Sequence, residues 1–411
     1  MKEYQVIGNA TSGSIRFNTD SSKLEIYNGE AWFEIDATSP EQQTGGTRGL
    51  VLGGYKYPNG GSNQIGHINI STTGNEVDSG GDLLAARYGL GTASDRTRGL
   101  AFGGRDDPSP SASVNVIQHV TIASNSNSID FGDLLSGQGW EQMAGCGNPT
   151  RGVIGGGYQN PQSTATKNII SYVTIQSLGD AVDFGDLLSG QGWEQMSGCG
   201  NPTRGVIGGG YQNPQSTATK NIISYVTIQS LGDAVDFGDL TVARSGLSAA
   251  SSPTRGLFIG GRTGPGNDDK VVTIDFVTTS TLGNAADFGD LTVATSHHAG
   301  CSNAVRAISG QGYQGPGYNS RVNSIDFITI ASLGNAKDFG DATRAAANFM
   351  ACASSTRGVF VGGNKSDSPY GVNAMDYVQI MSTGDAIDFG DLTSDQNEGV
   401  AALSNGHGGL G

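Results

Sequence analysis

The chain has 411 residues, 66 of them glycine, and carries a formal net charge of −15 with only 15% charged and 36% hydrophobic residues. That balance excludes a helical protein, a charge-rich disordered tail and collagen, and leaves a glycine-rich, turn-rich, all-β chain. An acidic chain with no lysine/arginine cluster is not expected to bind nucleic acid, and no apolar run approaches the ~20 residues of a membrane helix, so no membrane insertion is expected.

The chain opens with MKEYQVIGNATSG, which lacks the apolar core of a secretory signal. Residues 1–40 stand outside everything that follows. The stretch GSIRFNTDSSKLEIYNGEAWFEI alternates apolar and polar residues around two turns, predicting a small β-meander. Through Ile15, Arg16, Asn18, Thr19, Asp20, Lys23, Leu24, Glu25, Tyr27, Gly29 and Trp32 it resembles a short element of bacteriophage tail-fibre and other virion-appendage proteins; Phe17 stands where that element has tyrosine. The resemblance implies an attachment element, with Tyr27 and Trp32 as attachment residues.

From residue 41 to 411 the sequence repeats. Thr-Arg-Gly followed by apolar or small residues recurs with Arg48, Arg98, Arg151, Arg204, Arg255 and Arg357, and in degenerate form at Arg306. Asp-Phe-Gly-Asp recurs in phase, ending at Asp133, Asp186, Asp239, Asp290, Asp341 and Asp391, with a weaker copy at Asp82. Seven copies about 50 residues apart predict a seven-bladed β-propeller of four-stranded antiparallel blades. The first copy lacks a small-residue strand before it and the last DFGD has one after it, so the C-terminal strand is expected to close the first blade. The double glycines after the second strand, as at Gly53, Gly103 and Gly260, resemble those of kelch-type propellers, although DFGD replaces the fourth-strand tryptophan of many kelch units. Two units, Leu134–Asp186 and Leu187–Asp239, differ only at Ala144 and Ser197.

The motif arginines and aspartates are expected to form a framework of Arg–Asp pairs between blades. Cys146, Cys199, Cys301 and Cys352 share a column with Ala93 and Ala250, which fits small buried residues and gives neither disulfide nor zinc spacing. His67 and His119 share a column with Tyr172, Tyr225, Phe276, Phe327 and Tyr377, an aromatic slot; His297 and His298 are placed on one inner strand, facing opposite ways. The string at Gly310–Gly315 fits GxGxxG but precedes no helix. No catalytic residue, metal or cofactor is expected, and the chain is not read as an enzyme.

Variation concentrates in the loops after the second strand and before the first. These carry Tyr55, Tyr57, Tyr158, Tyr211, Tyr313, Tyr318 and Tyr370, with Trp140 and Trp193 in the longer connections. Such rings suit recognition, and the alternative is that they pin their own loops. Together with the two resemblances, this predicts a bacteriophage virion structural protein of a tail fibre or similar appendage, located in the virion. It would join other virion proteins through residues 1–40, bind a host-surface glycan or protein non-covalently through the aromatic loops, and be compatible with a homo-oligomer. An architectural or capsid-decorating virion protein, and a propeller enzyme acting on host polysaccharide, are the alternatives.

Overall fold

A computed structural model describes residues 11–18, 23–34, 46–56, 60–106, 113–136, 138, 143–159, 163–189, 191, 194–212, 216–264, 269–315, 320–366, 371–396 and 399–406. The chain divides into two compact units, Met1–Gln42 and Gln43–Gly411.

In the first unit, Ile15–Asn18, Lys23–Tyr27 and Trp32–Glu34 form an antiparallel three-stranded sheet in chain order. Its second turn follows from Asn28 and Gly29: the Asn28 side-chain carbonyl accepts from the amides of Glu30 and Ala31 at 2.8 Å each, and Gly29 takes φ +106°. Arg16 pairs with Glu25 at 2.8 Å and lies 4.2 Å from the Trp32 ring centroid. Trp32 in turn packs on Tyr27, centroids 5.3 Å apart.

The second unit is all-β, but the expectation of a kelch-like seven-bladed propeller of uniform four-stranded blades is corrected. Hydrogen bonding divides its strands among discrete antiparallel sheets of two, four and six strands. The reasons lie in the loops and in the first repeat. Loops after the second strand fold back as separate two-stranded sheets, as where Tyr211–Gln212 pairs with Ser216–Thr219. The long strands Gly60–Asn69 and Val77–Tyr88 of the first repeat overrun the usual length and add Arg105–Asp106 from the next repeat. The C-terminal strand Ala401–Ser404 pairs with Arg48–Leu52, and so forms one edge of a six-stranded sheet rather than completing a four-stranded blade.

A typical repeat is seen in Ser248–Ser251, Arg255–Ile259, Thr273–Thr278 and Ala286–Asp290, hydrogen-bonded in that order. After its half-exposed arginine the second strand is wholly buried, so it reads as a continuous apolar run rather than an alternation. The core lies between successive sheets: Leu257, Ile259, Ile274 and Phe288 pack with Ile328 and Ile330 of the following repeat. The aromatic slot holds edge-on pairs, Tyr172–Phe184 at 6.0 Å and Phe276–Phe288 at 5.8 Å, and His119 on Phe131 at 6.0 Å occupies it as a flat ring.

Successive sheets are joined by backbone hydrogen bonds at their outer strands. Gly283 donates to the Phe237 carbonyl and Ala285 to the Asp239 carbonyl, both at 2.8 Å, and the Asn284 side-chain carbonyl accepts from the Asp239 amide at 3.1 Å. Equivalent bonds recur at Gly179, Gly232, Gly334, Gly384 and Gly74. The expected Arg–Asp pairs are not what joins them. Arg255 is opposite Thr278 at one end of the third strand and Asp290 is opposite Thr273 at the other end. Arg151, Arg204, Arg255, Arg306 and Arg357 each donate instead to a main-chain carbonyl of another repeat while stacking on their own aromatic slot. Arg255 reaches Ile330 at 2.9 Å and lies 4.9 Å from the Phe276 centroid.

The glycine of Thr-Arg-Gly has a steric cause. A Cβ at Gly256 would stand 2.6 Å from Cys199 Sγ but 3.9 Å from Cys199 Cβ. Gly256→Ala is therefore expected to cost about 1–3 kcal/mol as overpacking, and Cys199→Ala in the same chain to recover most of it. Urea unfolding of the single and double variants checks this; no recovery in the double variant would show that the cysteine is not the obstacle.

Candidate functional site

The recognition residues expected from the sequence separate into three groups. Tyr57, Tyr318, Tyr370, Trp140 and Trp193 lie outside the described residues. Tyr158 lies in the strand Tyr158–Gln159. The remaining loop tyrosines are engaged internally: Tyr55 packs edge-on against Tyr88 with centroids 5.0 Å apart, and the Tyr211 hydroxyl donates to Glu194 at 2.8 Å. Tyr313 is only 4% exposed; its hydroxyl donates to Asn364 at 3.2 Å and accepts from Asn348 at 3.1 Å, with the Arg321 guanidinium 5.1 Å from its centroid. These three rings pin loops.

His297 and His298 are also placed differently from expectation. Neither is on the strand, which begins at Ala299, and His297 takes φ +53°. It belongs to a rim of left-handed residues in which the Gly246 amide donates to Gln195, His297 to Gly246 and Asn348 to His297, at 3.1, 3.0 and 3.3 Å. Burial lowers the imidazole of His297 to about 3 and that of His298 to about 4. The sign follows from linkage: below about 6.5 the unfolded chain takes up a proton that native His298 refuses, so stability present above that pH is lost as pH falls toward 4. His298→Gln is expected to flatten this limb of the unfolding midpoint against pH; an unchanged slope would assign it to other groups.

The second unit has a cavity of about 470 Å³ among the first strands of three repeats, Gly91–Ser94, Ala144–Gly147 and Met350–Ala353, and the C-terminal strand Ala401–Ser404. Each is an edge strand of its sheet. Ala401–Ser404 touches both Met350–Ala353 and Gly91–Ser94, and Gly91–Ser94 touches Ala144–Gly147. Serine hydroxyls tie these strands together, Ser404 donating to the Ala353 carbonyl at 2.7 Å and Ser94 to the Ser404 carbonyl at 3.2 Å. An edge strand leaves alternate amides and carbonyls without a partner in its own sheet. Small side chains leave room beside Gly91–Ser94 and Ala144–Gly147, and Met143 and Met350 add adaptable thioethers.

Electrostatically the cavity is nearly neutral. Among the described residues no carboxylate lines it, and the one charged lining residue, Arg151, is turned to Tyr172 at 4.4 Å and to the Ile228 carbonyl at 3.0 Å. Burial pushes the thiols of Cys146 and Cys352 up to about 12, so both stay protonated and weakly reactive at neutral pH. Among the described residues, no three His, Cys, Asp or Glu side chains converge as metal ligands. The small-residue column was visible in the sequence as packing; its role in lining an opening was not, because that depends on four strands far apart in the chain.

No family model matches this chain, and no curated protein matches it. The expectation of a kelch-repeat tail-fibre or appendage protein that binds a host receptor through a propeller face is corrected accordingly. Neither resemblance extends to a recognised family, the sheets are not the uniform blades on which a receptor face was built, and Tyr55, Tyr211 and Tyr313 are engaged by neighbouring side chains.

Proposed function

We propose that the chain is a non-catalytic binding module that takes a short, uncharged peptide or other amide-bearing molecule in the cavity among its first strands. The observation that carries this is the lining itself, four edge strands of small residues around about 470 Å³ with no carboxylate among the described residues. That volume lies within the roughly 300–1,000 Å³ of ordinary ligand sites. Edge-strand amides and carbonyls complement those of a peptide, and the methionines accommodate apolar side chains of varied shape. A cationic ligand would meet no counter-charge among the described lining residues, and the one cation there, Arg151, is already engaged with Tyr172 and the Ile228 carbonyl. Acyl transfer by the cavity thiols is disfavoured by their protonation.

Gly145 provides the test, since a Cβ there meets only the Val153 carbonyl within 4 Å, at 3.7 Å. Calorimetric titration with N-acetylated, C-amidated peptides of alanine, serine and methionine is expected to give saturable binding that Gly145→Trp abolishes without lowering the melting temperature. Absence of saturable binding, or binding indifferent to Gly145→Trp, would overturn the assignment.

A further inference from the structure

The turn between the third and fourth strands differs among the repeats in a way the fold does not require. Its tip is Leu178, Leu231, Leu282 and Leu333 in four consecutive repeats, and Thr73, Asn125 and Thr383 in the other three. The four leucines are 56 to 61% exposed. The glycine that follows makes the same backbone bond whichever residue precedes it: Gly232 donates to Phe184 at 2.8 Å after leucine, and Gly74 to Phe389 and Gly384 to Phe339 at 2.7 Å after threonine. Threonine therefore satisfies the turn, and the framework does not require the leucines.

Their surroundings are acidic. The fourth strands beside these tips expose Asp183, Asp186, Asp236, Asp287, Asp290 and Asp338, with Lys337 interspersed. Partial desolvation first, and then the neighbours Asp233 and Asp183, raise the carboxyl of Asp186. The motif arginines reach the base of the same turns, Arg151 donating to Ile228 at 3.0 Å and Arg204 to Thr279 at 3.0 Å, but stack on Tyr172 and Tyr225. The backbone bonds between sheets hold each tip in the same place relative to the preceding repeat, so apolar and acidic points recur at a fixed interval.

We infer that these four repeats form a docking arc for an extended, lysine- or arginine-rich polypeptide with interspersed apolar side chains. Its apolar groups would cover the leucines and its cations would face the aspartates. This arc is independent of the cavity. The chain itself supplies a substitution compatible with the turn, Leu178→Thr, Leu231→Thr, Leu282→Thr and Leu333→Thr together.

Fluorescence anisotropy with a synthetic peptide in which lysine and leucine alternate, spaced by glycine, tests it. The wild-type chain is expected to bind this peptide at least about tenfold more tightly than the fourfold variant. A control peptide with serine for leucine should bind both chains equally and more weakly, and the melting temperatures should agree. Equal affinity of the two chains for the lysine–leucine peptide would overturn the proposal, as would a wild-type chain that does not distinguish the two peptides.

Discussion

Arg244→Met is expected to destabilise the protein by about 3–5 kcal/mol, because it leaves a buried carboxylate without its counter-charge. Arg244 and Asp275 are both fully buried and 3.1 Å apart. The guanidinium also donates to the Phe258 carbonyl at 3.0 Å, and Asp275 accepts from the Thr241 amide at 3.0 Å and hydroxyl at 2.6 Å. Burial pulls the arginine's proton affinity down while Asp275 holds it up. The pair is not needed by the architecture: the equivalent of Asp275 is Ser171 in an earlier repeat, where its hydroxyl donates to Gln138 at 2.8 Å. Arg244→Met combined with Asp275→Ser should therefore recover much of the loss. Urea unfolding followed by circular dichroism reads both. A single variant within about 1 kcal/mol of wild type would show that Asp275 finds another way to be solvated or protonated.

The second large effect is expected at the glycine of Asp-Phe-Gly-Asp. Gly238 has φ +141°, and a Cβ there would stand 2.5 Å from the Gly283 carbonyl oxygen of the next sheet. Gly232 has a similar φ, +147°, but nothing within 4 Å of its Cβ position. Gly232→Ala thus measures backbone strain alone, about 1–3 kcal/mol, and Gly238→Ala adds a collision with main chain that cannot move without parting two sheets, about 1–3 kcal/mol more. Thermal unfolding of the two variants decides it: equal losses would mean that the sheets separate there at no cost.

Much of this was legible in the sequence at the level of strands and little at the level of sheets. The all-β class follows from glycine, short apolar runs and turn residues, and both Thr-Arg-Gly and Asp-Phe-Gly-Asp fall on strands at a constant phase. The partition into sheets was not legible, because loops such as 211–219 read as connections yet pair with themselves, and Gly60–Asn69 gives no sign of its length. Pairing Arg with Asp was reasonable from charge and period, but the register sets them at opposite ends of one strand. The cavity was hidden for a related reason: Ser94, Ala144, Met350 and Ser404 become neighbours only through long-range strand contacts, whereas the tyrosines that looked available are held by Asn364, Glu194 and Tyr88.

The backbone bonds between outer strands bear on how such a chain changes over generations. Gly179, Gly232 and Gly283 each donate to the preceding repeat through the same geometry, so the repeats that carry this turn glycine present the same border to the repeat before them. Stability is then close to a sum of repeat and nearest-neighbour contributions. A copied unit such as Leu187–Asp239 arrives with both borders already matched, which makes the whole repeat, more than the single residue, the step by which this protein lengthens.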